Sequence, residues 1–233
     1  MSTPAPTPAP ALVDLGPVAQ LRAGRLAHRL VQLHVGLVLY GVSLAMMVRG
    51  DLGLAPWDVL HSGLARYLPL DLGQVLIVVS FLVLLAWIPL REVPGYGTIA
   101  NAIVLGLAAD ATLAVLERPD DVAARLALML GGILACGTAT ACYIGAQLGR
   151  GPRDGLMTGL HRRTGLSLRL VRTALEITVV VLGLALGGHL GPGTVLFALT
   201  IGPITQALLP AFVVALPTPA DVGGGAPVSD ASR

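Results

Sequence analysis

The chain has 233 residues, of which 55% are hydrophobic and only 12% are charged, and its mean hydropathy is +0.80. Charged residues make up about 25% of an ordinary soluble domain, so this composition excludes that class and favours a protein embedded in lipid. The formal net charge of +2 carries little information as a total, and we expect no nucleic-acid partner.

The chain begins with residues rich in proline, alanine and threonine. They lack the basic segment and the apolar core of a signal peptide, so we expect residues 1–21 to form a disordered cytoplasmic tail. Ordered structure is predicted to start near Arg22. Residues 217–233, rich in proline, glycine and serine, are predicted to form a second disordered tail.

Six apolar segments between these tails are long enough to cross a hydrocarbon core of about 30 Å at about 1.5 Å per residue. They lie at about residues 30–48, 73–90, 98–116, 123–148, 168–187 and 194–216. The predicted fold class is therefore an all-α integral membrane protein with six transmembrane helices.

Two further segments, residues 56–68 and 152–163, are too short and too polar to cross the bilayer. Each is predicted to be a short helix, because Pro56 and Pro152 suit the first helical position and an aspartate follows in the first turn. Such a helix either lies in the membrane interface or re-enters the membrane.

The two short helices belong to two copies of one motif, LGLAPWDVLHSGL at residues 52–64 and LGRGPRDGLMTGL at residues 148–160. The same offset of 96 residues aligns a GYGT turn at residues 95–98 with a GPGT turn at residues 191–194. This pattern predicts an internal duplication, with residues 22–121 as the first repeat and 122–216 as the second. We assign structural roles to the shared motif positions Gly53, Pro56, Gly63, Gly149, Pro152, Gly159, Gly95, Gly97, Thr98, Gly191, Gly193 and Thr194.

Each repeat contains three predicted spans and one short helix. An odd number of crossings makes the second repeat enter from the opposite side, which predicts inverted-topology repeats. Many secondary transporters have this architecture, with a site near the midplane beside interrupted helices. With the N-terminus inside, ten arginines fall in cytoplasmic segments and four outside, so both termini are predicted to be cytoplasmic.

The two motifs and their glycine turns resemble those of the YczE/YyaS/YitT group of bacterial multi-pass membrane proteins. The resemblance covers about residues 30–209. It implies a location in the bacterial plasma membrane and brings no established biochemical activity. The two copies differ where Arg153 takes the place of Trp57.

Four acidic residues are candidates for a substrate or ion cavity, because an ionisable group in a membrane is costly and usually functional. They are Asp58, Asp154, Asp110 and Glu176. Asp58 and Asp154 either cap their short helices or form a paired polar site at the midplane. Glu176 either contributes to the cavity or forms a simple ion pair with Arg172, four residues earlier. Asp110 has no partner at helical spacing on its own helix.

Other polar residues in the apolar segments have more ordinary interpretations. Gln32, His34 and Gln206 either line the same cavity or bond a neighbouring helix, and we favour the bonds. Cys136 and Cys142 are interpreted as packing residues.

We expect no metal and no cofactor. His61 and His161 lack zinc-ligand spacing. The glycine turns lack the GxxxxGK[ST] pattern, and no GxSxG, HExxH or CxxC motif occurs in the sequence, so an enzyme is not predicted.

The leading hypothesis is a small secondary transporter or permease-like protein of unknown substrate, surrounded by the lipid bilayer and handling a small molecule or an ion. The alternative is a non-transporting accessory protein, whose arginine-rich segment between the fourth and fifth spans meets anionic lipid or a cytosolic partner. The sequence predicts no oligomeric state.

Overall fold

The computed structural model describes residues 12–13 and 15–216. Most of the two predicted tails, residues 1–11, Asp14 and residues 217–233, lies outside the described residues. The described part of the chain is all-helical, without strands. Its helices are α1 (Pro17–Arg22), α2 (Leu26–Gly50), α3 (Pro56–Ala65), α4 (Leu72–Leu90), α5 (Tyr96–Val115), α6 (Val122–Gly145), α7 (Pro152–Thr164), α8 (Leu168–Ala185) and α9 (Pro192–Phe212).

Residues 17–22, which the composition places in the N-terminal tail, form helix α1. Arg29 Nη1 donates a hydrogen bond of 2.6 Å to the carbonyl of Gln20, and the Val13 N–H donates one of 2.7 Å to Gln147 Oε1. The Val13 contact joins residues 134 apart in sequence, so the local composition of the tail does not reveal it.

Five helices, α2, α4, α5, α6 and α9, are long and apolar enough to cross a membrane. Helix α8 is not among them, because its 18 residues include Arg169, Arg172 and Glu176. All six of these long helices expose large apolar side chains, as expected for a bundle surrounded by lipid. Examples are Val35, Leu85, Leu107, Leu134, Val181 and Leu199.

Helices α2 and α6 form the centre of the bundle and run antiparallel, with close glycine contacts. A Cβ on Gly36 would lie 2.9 Å from the backbone nitrogen of Tyr143, and a Cβ on Gly132 would lie 2.8 Å from Met47 Cγ. Gly36 and Gly132 are 96 residues apart, as are Met47 and Tyr143. The two equivalent helices therefore use the same positions to pack against each other.

Two equivalent arginines, one near the start of each of these helices, also make equivalent contacts with the other helix. Arg29 donates to the carbonyls of Ala146 and Gln147 at the end of α6, at 2.8 and 2.6 Å. Arg125 donates to the carbonyls of Gly50 and Asp51 at the end of α2, at 3.0 and 2.7 Å. Each guanidinium thus satisfies helix-end carbonyls that have no partner within their own helix.

The motif glycines let each loop dock on the glycine turn of the other repeat. Gly193 N–H donates to the Leu52 carbonyl at 2.8 Å, and Gly97 N–H donates to the Leu148 carbonyl at 2.7 Å. The following loop residue, Gly53 in one copy, has a φ of +125°, and its equivalent in the other copy has +133°. Glycine adopts this left-handed backbone without steric cost, which explains the repeated LG pair.

Candidate functional site

The first turns of the two short helices meet inside the bundle. Pro56 and Pro152 are buried, whereas α7 ends on exposed residues and α3 ends on half-buried residues followed by the exposed Arg66. The guanidinium carbon of Arg153 lies 5.1 Å from the centroid of the Trp57 ring. Both side chains line a cavity that also reaches Tyr40 near the middle of α2, so the meeting point lies well inside the bundle.

Asp58 is almost fully buried beside this contact, with 2% of its side chain exposed. Its Oδ1 lies 3.0 Å from His61 Nδ1 and 3.7 Å from Arg153 Nη2. His61 Nε2 is buried and has no hydrogen-bond partner in the described part of the chain. Asp58 therefore joins the buried His61 and the half-buried Arg153 in a group of three ionisable side chains from both short helices.

Asp154, the equivalent of Asp58, lines the cavity itself. Its Oδ2 accepts a 3.0 Å hydrogen bond from the Tyr143 hydroxyl. Among residues 12–13 and 15–216, no basic side chain forms an ion pair with it. Asp154 thus presents a carboxylate with a hydroxyl partner and no counter-ion among the described residues.

Neither aspartate caps its helix by a direct hydrogen bond. The bonds given above are side-chain bonds, and within the described residues no backbone N–H donates to either carboxylate. The aspartates can still stabilise their helices, because a negative charge in the first turn interacts favourably with the partial positive charge at the helix N-terminus.

The cavity has a volume of about 260 Å³ and lies between α8 and α9, reaching the first turns of α3 and α7. From α8 it receives Arg172 and Glu176, with Arg172 Nε 2.9 Å from Glu176 Oε1, so Glu176 both lines the cavity and forms the ion pair that was the other interpretation. From α9 it receives Thr205 and Gln206. Thr205 Oγ1 is buried without a hydrogen-bond partner among the described residues. It is therefore a polar atom of the cavity wall whose hydrogen-bonding capacity is unused.

Asp110 lies elsewhere and has a clear structural contact. Its Oδ1 and Oδ2 accept hydrogen bonds of 2.6 and 3.1 Å from the backbone N–H groups of Gly73 and Gln74, at the start of α4. At the same place Gly106 of α5 approaches the Gly73 carbonyl. We call Gly73, Gly106 and Asp110 the α4–α5 clasp. The structure therefore separates Asp110 from the cavity that receives Asp154 and Glu176.

The positions in the second repeat that are equivalent to Gly106 and Asp110 do not hold their two helices together. Gly202, the equivalent of Gly106, has no atom within 4 Å of the position its Cβ would take. Gly202 and Gln206, the equivalent of Asp110, both line the cavity. Helices α4 and α5 are thus clasped together, whereas the cavity separates their equivalents α8 and α9.

The remaining polar residues divide between the two interpretations. Gln32 Nε2 donates to the carbonyls of Cys142 and Phe212, at 2.9 and 2.8 Å, and His34 Nδ1 contacts the Leu30 carbonyl at 2.8 Å. Gln32 thus bonds neighbouring helices, as favoured above. His34 bonds the backbone of its own helix, and its Nε2 lies 3.3 Å from the Tyr96 hydroxyl of α5. Gln206, in contrast, lines the cavity.

Sequence reasoning did not assign Trp57, Arg153, Tyr40 and Tyr143 to the site. One signal was present, because Trp57 and Arg153 are the clearest chemical difference between two otherwise similar motifs. The tyrosines lie in apolar segments, where an aromatic residue looks like any other packing residue.

Comparison with known proteins identifies relatives over most of the chain. The chain matches the family of unknown function DUF6198 over residues 27–210. An uncharacterized protein of Haemophilus influenzae is 42% identical over 173 residues, covering 74% of this chain and 79% of the relative. The uncharacterized membrane protein YczE of Bacillus subtilis is 29% identical over 177 residues, covering 75% and 82%, and the B. subtilis protein YyaS is 22% identical over 180 residues, covering 76% and 90%.

No solved structure matches the chain, so the family assignment depends on sequence alone. The matches to YczE and YyaS confirm the resemblance carried by the two motifs and their glycine turns. The chain belongs to DUF6198, a YczE/YyaS-like family that includes a membrane protein.

Proposed function

We propose that the protein is a small secondary transporter of the bacterial plasma membrane, built from two inverted repeats of three crossings each. Helix α8 is the sixth crossing in this proposal, since it is equivalent to α4. Its charged residues Arg172 and Glu176 pair with each other beside the cavity. Its other side exposes Ile177 and Val181, which suit contact with lipid.

The inverted arrangement is supported by the contacts between the repeats. Equivalent helices α2 and α6 run antiparallel and contact each other through equivalent glycines. Helix α3 packs on α8, and its equivalent α7 packs on α4. Such reciprocal contacts are those of a pseudo-two-fold axis in the membrane plane. Re-entrance of α3 and α7 is supported by the burial of Pro56 and Pro152.

The observation that carries the transporter proposal is the difference between two equivalent helix pairs. Helices α4 and α5 are held by the α4–α5 clasp, and α8 and α9 are separated by a cavity that reaches the short helices. Alternating access moves one repeat against the other around a fixed site. In the other state of the alternating-access cycle, α8 and α9 would pack together and α4 and α5 would separate.

The positive-inside rule assigns the sides. The turn between α7 and α8 is cytoplasmic in this proposal, with the exposed Arg163 at the end of α7 and the exposed Arg169 at the start of α8, as are both termini. The cavity is bordered by Arg172 near the start of α8 and Gln206 near the end of α9. The structure then represents an inward-open state, with the α4–α5 clasp closing the outer side.

Cysteine accessibility tests this proposal without knowledge of the substrate. In a background carrying Cys136→Ala and Cys142→Ala, single cysteines replace Thr205, which lines the cavity, or its equivalent Ala109, which is fully buried. An impermeant thiol reagent is applied to intact cells and to inside-out vesicles. We expect Thr205→Cys to react from the cytoplasmic side and Ala109→Cys to react, more slowly, from the outside.

The alternative is an accessory membrane protein that does not alternate. The exposed arginines of residues 162–169 favour contact with anionic lipid or a cytosolic partner in that case. It predicts that Ala109→Cys stays unreactive from both sides in folded protein. That outcome would overturn the transporter proposal.

A further inference from the structure

We propose that the cavity binds a small organic cation, a protonated amine or a quaternary ammonium, whose charge is neutralised by Asp154. This inference rests on the proposed function for the role of the cavity, but it concerns binding and can be tested without transport. It follows from the charges, the aromatic residues and the helix ends that surround the cavity.

The charges around the cavity leave one carboxylate without a counter-ion. Arg172 pairs with Glu176 at 2.9 Å, and Arg153 lies 3.7 Å from Asp58. Asp154 has only the neutral Tyr143 hydroxyl as a partner within the described part of the chain. A charge in a membrane interior is costly until a partner neutralises it. A ligand with a positive charge would therefore be stabilised electrostatically by Asp154.

The aromatic residues are concentrated at the same place. The chain contains only two tryptophans, four tyrosines and three phenylalanines. Four of these nine line the cavity, namely Tyr40, Trp57, Tyr143 and Phe197. Aromatic faces attract ammonium groups through the ring quadrupole, most strongly when water is excluded. The ring centroids of Tyr40 and Tyr143 are 6.3 Å apart, so both rings can contribute to one site.

An anionic ligand fits the same cavity poorly. The start of a helix attracts anions through free backbone N–H groups, but both short helices begin with proline, which has none. Their first turns already carry Asp58 and Asp154. The two arginines that line the cavity are already engaged, since Arg153 lies over the Trp57 ring and 3.7 Å from Asp58, and Arg172 pairs with Glu176.

The test compares two probes of the same shape and opposite charge, benzylammonium and benzoate. Each is titrated calorimetrically into the purified full-length protein in lipid nanodiscs. We expect benzylammonium to bind and benzoate not to bind. Asp154→Asn should weaken benzylammonium binding roughly 10- to 100-fold, the factor that corresponds to one charged hydrogen bond.

The control carries the same chemical change far from the cavity. Asp120 is exposed in the loop before α6, so Asp120→Asn should bind benzylammonium as the unchanged protein does. Thermal unfolding of each variant without ligand shows that it is folded.

Binding of benzoate in place of benzylammonium would overturn the inference, as would benzylammonium binding that Asp154→Asn leaves unchanged. Failure of the transporter proposal has a different signature. If benzylammonium binds through Asp154 but Ala109→Cys stays unreactive from both sides, the cation site stands and alternating access does not.

Discussion

Arg153 and Trp57 occupy the same position of the two motif copies, 96 residues apart, and they contact each other, with the guanidinium carbon 5.1 Å from the ring centroid. A residue meets its own equivalent only where a pseudo-two-fold axis passes between the copies. Two arginines at this place would repel, whereas an arginine and a tryptophan attract. The two copies therefore differ at this position in a way that makes the two side chains attract each other.

A double-mutant cycle measures this attraction. Trp57→Leu, Arg153→Met and the double variant are compared by unfolding in detergent. We expect a coupling energy of about 0.5–2 kcal/mol, the range of a cation–π contact from exposed to desolvated sites. A coupling energy of zero, with all variants folded, would show that the two side chains are neighbours without mutual stabilisation.

The buried guanidinium of Arg29 offers a second prediction. Arg29 is 0% exposed and donates to the carbonyls of Ala146, Gln147 and Gln20. Arg29→Met leaves these carbonyls unpaired, at a cost of about 1–3 kcal/mol for each group that water does not reach. Arg29→Lys should recover only part of the loss, because an ammonium lacks the planar fork of donors.

Thermal unfolding in detergent gives the comparison, and Arg169→Met is the matched control. Arg169 is exposed, so its replacement should change the unfolding temperature little. If Arg29→Lys equals the unchanged protein in stability, the fork geometry of Arg29 is unimportant.

The positions of the helices follow from the sequence to a large extent. Apolar length predicted α2 and α4, and proline followed by aspartate predicted the starts of α3 and α7 at Pro56 and Pro152. These signals are local, because each depends on residues within one or two turns of the chain. The repeated glycines indicated structural roles, and the structure shows that these roles are close contacts, as between Gly53 and the backbone of Thr194.

The site itself was predictable only in part. The repeat identified Asp58 and Asp154 as equivalent, but it could not show that Asp58 is paired with His61 and Asp154 with Tyr143. Those partners depend on how helices meet in space. Asp110 illustrates the same limit, because its partners at the start of α4 are 36 and 37 residues away in sequence.

The proposed inverted repeats make a prediction about sidedness. Tyr67 is exposed two residues after the end of α3, and the equivalent position, in the last turn of α7, is the exposed Arg163. Single cysteines at these two positions, in the background without Cys136 and Cys142, should react with an impermeant thiol reagent from opposite sides. We expect Tyr67→Cys to be labelled in intact cells and Arg163→Cys only after the membrane is opened. Labelling of both in intact cells would contradict inverted repeats.

Asp110 should matter for stability more than for ligand binding. Asp110→Asn keeps one acceptor for the N–H groups of Gly73 and Gln74 but loses the charge. A hydrogen bond to a charged group contributes about 1.5–3 kcal/mol, so we expect a lower unfolding temperature and unchanged benzylammonium affinity. A loss of affinity without a loss of stability would return Asp110 to the binding site.

The two equivalent glycines Gly106 and Gly202 provide the sharpest comparison, because one substitution is made at the same repeat position in two different surroundings. A Cβ on Gly106 would meet the Gly73 carbonyl and lie 2.6 Å from Ile77 Cγ1. Gly106→Ala therefore forces α4 and α5 apart, at a cost of about 1–3 kcal/mol for overpacking. A Cβ on Gly202 meets nothing within 4 Å, so Gly202→Ala should be neutral, or more stable by about 0.5–1 kcal/mol because alanine is the better helix former.

In the transporter proposal Gly106→Ala also weakens the closed outer side, so Ala109→Cys should react faster from outside when Gly106→Ala is added and should be unaffected by Gly202→Ala. Equal effects of the two alanines on stability would mean that the two helix pairs are packed alike, and the asymmetry that supports alternating access would be lost.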